Sequence, residues 1–157
     1  MLAPMEKAGS PKANYVAEYR ILYGDTDTMG QAYYANYLKW FEIGRAEYFR
    51  LRGFSYKEVE ERGYFLPVIE AYCKYYQPAV YDDIILIATK FSVERRIRLR
   101  FDYEIYKKGG DEPLVATGYT VHVCLNDKKK PVRPPAFIID RLQKEITERV
   151  SDSNTRN

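Results

Sequence analysis

The segment from Ile97 to Ile105 constrains this chain more than any other. Ile97, Leu99, Phe101, Tyr103 and Ile105 alternate with Arg98, Arg100, Asp102 and Glu104. Successive strand residues point to opposite faces, so this pattern gives one apolar face to bury and one charged face to solvate. A helix would scatter both sets around its circumference. A half-buried strand needs partners, and the flanks supply them. "DDIILIATKFSVE" precedes it, and "LVATGYTVHVCL" follows the turn-like "KKGGDEP"; both are rich in β-branched and apolar residues. The three segments predict an antiparallel meander. "FLPVIEAYCKYY" and "YVAEYRILYG" are the fourth and fifth strand candidates.

A sheet with one apolar face must lay it on something. Asn36 is a candidate N-cap and Gly53 a candidate C-terminal stop. Between them Tyr37, Trp40, Phe41, Gly44, Tyr48 and Leu51 share an arc of roughly 100° at helical spacing. Gly44 costs this helix about 1 kcal/mol relative to Ala, and close approach of the sheet is the expected compensation. "SYKEVEERG" reads as a short helix, and a last helix spans about 136–150 after the Pro-rich "KPVRPPAF". The expected architecture is α+β: one five-stranded antiparallel sheet wrapped around one long aromatic helix.

At 157 residues the chain suits one core, expected over residues 14–150 with loose tails at 1–13 and 151–157. The 25 basic and 22 acidic residues are spread along the chain, so a net charge of +3 is no nucleic-acid signature. Cys73 and Cys124 stand far apart, without a CxxC pair, which argues against a disulfide framework or zinc cluster and fits a reducing cytoplasm. No apolar run long enough for a signal peptide or membrane span is present, so a soluble cytoplasmic protein without membrane insertion is expected. With one histidine and dispersed carboxylates, no metal site is signalled.

The chemistry concentrates in "YGDTDTMGQAYYANYLKWFE", where Asp25 and Asp27 precede the long helix. Carboxylates near a helix start complement its dipole and cap free amides, so capping alone accounts for an aspartate here. The stretch D-T-D-x-x-G-x-x-Y-Y-x-N-Y, with the sheet-wrapped helix, resembles the hot-dog fold of the 4-hydroxybenzoyl-CoA thioesterase family. That family includes bacterial acyl-CoA thioesterases associated with the Tol-Pal system. The match runs from about Tyr15 to Pro135.

The resemblance implies an acyl-CoA thioesterase that needs no cofactor, with Asp27 as catalytic carboxylate and the Tyr34 backbone N–H as donor to the thioester oxygen. A thioester carbonyl is already electrophilic, so hydrolysis mainly needs an activated water or a nucleophile, plus a donor for the oxyanion. Gly30 permits the turn that carries the carboxylate back towards the helix amides, and Tyr33 is placed with the substrate-binding residues. Asp25 is read as a loop-structuring acid. Tyr34 stands where one branch of the family has histidine, which leaves backbone donation intact and removes any imidazole.

Several residues keep two readings. His122, within "GYTVHVCL", is either a structural strand residue or a catalytic one. Tyr72, Tyr75 and Tyr76 line an acyl pocket or fill core and interface. Arg96, Arg98 and Arg100 form a solvated strand face, a subunit contact or a phosphate site; Lys128, Lys129, Lys130 and Arg133 form a second basic group for the CoA phosphates. Arg96 and Arg133 are the candidate phosphate ligands. The family also implies a homodimer joined edge to edge with the active site at the subunit boundary, or a homotetramer. The competing function is a non-catalytic scaffold binding acyl-CoA or an acyl carrier.

Overall fold

In chain order, the computed structural model, which describes residues 15–145, contains β1 (Tyr15–Arg20), α1 (Asn36–Leu51), α2 (Tyr56–Glu61), β2 (Val68–Tyr75), β3 (Ile84–Glu94), β4 (Arg98–Lys107), β5 (Leu114–His122), β6 (Cys124–Leu125), β7 (Pro131–Val132) and α3 (Ala136–Gln143). β1 to β5 form one antiparallel sheet in the order β1-β3-β4-β5-β2, and β6 pairs with β7. The expected meander is its centre: Phe101 of β4 faces Phe91 of β3 on one side and Thr120 of β5 on the other. The expected tails lie outside the described residues, as does the 146–150 part of the last helix.

The sheet lays its apolar face on α1. Phe41 stacks on Tyr103 at 4.4 Å, and Tyr48 meets Phe101 edge-on at 5.9 Å. Trp40 and Phe41 are fully buried. A Cβ on Gly44 would lie 2.7 Å from both Ile87 Cγ2 and Thr89 Oγ1, so the missing side chain lets helix and sheet touch. Gly118 does the same in β5, beneath Phe41 and against the Tyr72 carbonyl. This is the hot-dog arrangement.

Four local expectations are corrected. α1 has Ala35 as its N-cap, and Asn36 instead donates its side-chain amide to the Asp25 carbonyl at 2.7 Å. Leu51 is 53% exposed while Phe49 is buried, because the helix stops at Leu51 and Gly53 (φ +81°) turns the chain back over Phe49. Arg96 is not on the β4 face. Arg95 and Arg96 take positive φ (47° and 65°) in the β3–β4 turn, which leaves Ile97 exposed. α3 ends at Gln143.

His122 is buried in β5 with both ring nitrogens occupied. Nδ1 lies 2.9 Å from the Leu66 carbonyl and Nε2 2.8 Å from Thr120 Oγ1. A carbonyl only accepts, so Nδ1 carries the proton and Nε2 accepts from Thr120. Thr120 in turn accepts from Tyr103 Oη at 2.7 Å, and Tyr103 accepts from Arg45 of α1 at 3.1 Å. The chain of donors is complete with a neutral imidazole, and burial, then the Arg45 charge, pushes its pKa down to about 4. His122 is a structural strand residue.

Candidate active site

The loop between β1 and α1 folds back as a miniature hairpin. Thr26 bridges to Ala32, and Asp27 N–H donates to the Gln31 carbonyl at 2.9 Å. Gly30 closes the turn at φ +77°, a conformation other residues adopt only with strain, and its N–H donates to the Asp27 carbonyl at 3.0 Å. Asp27 thus stands at the tip, half-buried, with Oδ1 accepting the Met29 N–H at 2.9 Å. Among the described residues Oδ2 has no hydrogen-bond donor.

Asp25 is used differently. It is 6% exposed, and its Oδ2 accepts from Tyr19 Oη at 2.7 Å and from Leu22 N–H at 2.8 Å. Its main-chain carbonyl accepts the Tyr33 N–H at 2.8 Å as well as the Asn36 amide. Two neighbouring aspartates therefore have opposite surroundings: one carboxylate is enclosed and doubly bonded, the other is open. The loop-bracing reading of Asp25 matches this geometry.

After Tyr33 the chain enters the turn that starts α1. Tyr33 C=O accepts the Asn36 N–H at 3.0 Å, and Tyr34 C=O accepts the Tyr37 N–H at 3.4 Å. Among the described residues the N–H groups of Tyr34 and Ala35 have no acceptor, as expected of amides that precede a helix. Tyr34 lines an open cleft of about 350 Å³, together with Gln31 and Ala32 of the hairpin, Tyr37 of α1, and the Tyr75–Pro78 segment at the end of β2. Asp27 is not part of that lining; Gln31, bonded to it through the main chain, connects the two.

Tyr75 and Tyr76 both border the cleft, but the Tyr76 hydroxyl meets Thr117 Oγ1 at 3.2 Å on the outer face of the sheet, where Tyr72 stacks on Tyr119 at 5.4 Å. Tyr33 is exposed, with its ring 4.8 Å from Tyr34; its phenol is held above the usual range by Tyr34 and, less strongly, by the charge of Asp27. Gln31, Tyr37 and Gln77 are lining residues that no sequence pattern marks as such. Among the described residues no group of His, Cys, Asp and Glu could hold a metal, and no helix is long and apolar enough to cross a membrane.

Arg96 and Arg133 lie away from this cleft. Tyr75 pairs with Ala116, which pairs with Ile105, while the turn holding Arg96 follows Glu94, the partner of Arg98. At about 3.3 Å per residue, roughly 20 Å of strand separates the two rows. Arg133 follows β7, whose Val132 pairs with Cys124 just beyond the His122 end of β5. Arg100 is engaged by Glu94 at 3.0 Å and Asp102 at 3.1 Å, and covers the Tyr119 ring at 3.9 Å.

Residues 21–142 match the family model described as Thioesterase-like superfamily. The chain belongs to that superfamily. Among its relatives, the acyl-CoA thioester hydrolase YbgC of Escherichia coli is 30% identical over 121 residues, which cover 76% of this chain and 89% of YbgC. The DHNA-CoA thioesterase structure from Staphylococcus aureus superposes with a TM-score of 0.72 at 31% identity, covering 79% of this chain and 83% of the other. A hypothetical protein from Aquifex aeolicus gives 0.75 at 28% identity, over 81% and 98%. Within the thioesterase-like fold, the matched segment contains the hairpin, α1 and the whole cleft wall.

Proposed function

We propose that this chain hydrolyses an acyl-CoA to a carboxylic acid and free CoA. Thioester hydrolysis follows from membership of the superfamily; the residues and the substrate are our reading. The observation that carries it is the pairing, on one short loop, of an open carboxylate at Asp27 with an N–H at Tyr34 that has no acceptor among the described residues and borders a cleft. The D-T-D motif favours the 4-hydroxybenzoyl-CoA thioesterase and Tol-Pal-associated branch within the superfamily.

In this mechanism Asp27 acts as general base or as nucleophile. As base it takes a proton from water while the water oxygen bonds to the thioester carbon. As nucleophile it forms an anhydride that water then opens. On either route the carbonyl oxygen gains negative charge, and the Tyr34 N–H, with the positive end of the α1 dipole behind it, stabilises that charge. On the base route collapse breaks the C–S bond and the CoA thiolate takes back the proton that Asp27 accepted. On the nucleophilic route the thiolate leaves as the anhydride forms and is protonated by solvent. Gly30 sets the turn, and Tyr33 screens the substrate beside Asp27.

The working unit in this reading is at least a dimer in the cytoplasm, where Cys73 and Cys124 stay free thiols. β2 is an edge strand whose Val68, Ile69, Tyr72 and Tyr75 are all more than 40% exposed. An apolar edge of that length calls for a partner. Pairing β2 with its copy makes one continuous sheet, and Arg96 or Arg133 then reach CoA phosphates only from the neighbouring subunit. A thiol-release assay over short, long and aromatic acyl-CoAs tests the proposal. Turnover by the wild type and its loss in Asp27→Asn are expected; binding without thiol release would favour the scaffold reading.

A further inference from the structure

Tyr75 reaches across from the edge strand to the start of the helix. Its hydroxyl donates to the Tyr34 carbonyl at 2.7 Å, and its ring packs edge-on against Tyr37 at 4.8 Å. The residues are 41 apart in sequence. Without this bond the Tyr34 carbonyl keeps only the long contact from Tyr37 N–H at 3.4 Å.

The consequence concerns the unbonded amide. Peptide units are planar, so holding a carbonyl fixes the direction of the N–H in the same unit. The unit containing Tyr34 N–H is fixed through its own carbonyl, that of Tyr33, by Asn36 N–H at 3.0 Å. The next unit, containing the Tyr34 carbonyl and Ala35 N–H, is fixed by Tyr75. The two units pivot about a single atom, Tyr34 Cα. Only with both clamped does the pair of free amides keep one direction, which electrostatic stabilisation of a developing oxyanion requires.

We infer that Tyr75 is a positioning residue: its hydroxyl, through the Tyr34 carbonyl, aligns the free amides at the start of α1 for the reaction. This rests on the hydrolase reading above. Tyr75 need not touch the reacting atoms. It also joins the site to β2, so a displacement of that edge strand is transmitted to the amides.

The test uses Tyr75→Phe in the full chain, which removes the hydroxyl and keeps the ring on Tyr37. For the best acyl-CoA of the panel, kcat should fall about tenfold with KM changed less than about twofold, since a slackened donor affects the transition state more than binding. The thermal midpoint should stay near wild type. Amide exchange at Tyr37, read by NMR without substrate, should speed up because its acceptor, the Tyr34 carbonyl, is no longer held by Tyr75. Tyr106→Phe, which alters a phenol on the far face of the sheet, should do none of this. Unchanged kcat in folded Tyr75→Phe, where Asp27→Asn is inactive, overturns the inference and leaves the hydrolase reading standing. A matching rise in KM and loss of stability also overturns it, by reducing Tyr75 to a packing residue. Should the wild type hydrolyse none of the panel, the hydrolase reading fails, and unaltered exchange at Tyr37 would separately remove the clamp.

Discussion

The main-chain carbonyl of Asp25 holds the Tyr33 N–H at 2.8 Å, so the residue that looks like a second catalytic acid is the anchor of the turn beside it. Its side chain anchors the other flank through Tyr19 and Leu22. Asp25→Ala leaves two donors unsatisfied and should cost about 2 kcal/mol of stability. Asp25→Asn keeps an acceptor oxygen and should lower activity only slightly. Asp27→Asn should do the reverse, lowering kcat by about 10²-fold or more with little change in the unfolding midpoint. Denaturant titration beside steady-state kinetics separates the two; equal losses of kcat in both Asn variants would mean that the roles are misassigned.

Gly44 gives a prediction in which helix propensity and packing oppose each other. Alanine at an exposed helix position gains about 1 kcal/mol over glycine. Here the added methyl lies 2.7 Å from Ile87 and Thr89, and both belong to β3, which is paired on both sides by β1 and β4. Overpacking of that kind typically costs 1–3 kcal/mol, so Gly44→Ala should be destabilising by a net amount of roughly 1 kcal/mol. Gly118→Ala should be worse, because the Tyr72 carbonyl it meets is held in a β-ladder. Urea unfolding of both variants checks the sign and the order.

His122 predicts a pH dependence of stability. Its folded pKa, about 4, lies below the ordinary value of 6.5. Between those values the unfolded chain binds the proton and the folded chain does not, so stability is complete above about pH 6.5 and declines as pH falls towards 4. The loss is on the order of 3 kcal/mol across that window. His122→Gln should be less stable at pH 7.5 and should show a much flatter profile from pH 7.5 to 4.5. A wild-type profile flat across the window would contradict the buried neutral imidazole.

Association is tested directly by light scattering at micromolar concentration, where a dimer or larger assembly is expected. Ile69→Asp places a charge on the exposed apolar strand β2 and should shift the protein towards monomer. If the active site is shared, kcat should fall as the dimer dissociates. A monomeric wild type working at full rate would remove the shared site.

What could be read from the sequence followed from local periodicity. Leu99 to Ile105 announced β4 because one face is buried and the other wet. The same period continues unbroken through Arg96 and Ile97, where the chain has already turned, since alternation does not say where a hairpin bends. Asn36 has the chemistry of an N-cap, but a carbonyl eleven residues away competes successfully for its amide. The Asp27 loop was legible as a motif. Tyr75 was legible only as one of 16 tyrosines, because its partner lies across the fold and no local pattern encodes it.

The strand order β1-β3-β4-β5-β2 also has a meaning in time. β2 is synthesised before the meander, yet its only strand partner among the described residues is β5, the last strand of the sheet. A chain leaving the ribosome therefore presents α1, with Trp40 and Phe41 uncovered, well before the surface that receives them exists. The cleft completes last: Tyr75 cannot take its place over Tyr34 until Ala116, its partner in β5, has emerged. Shortened chains that stop ahead of β5 should consequently expose the aromatic helix and depend on chaperones, whatever the strength of their own helical signal.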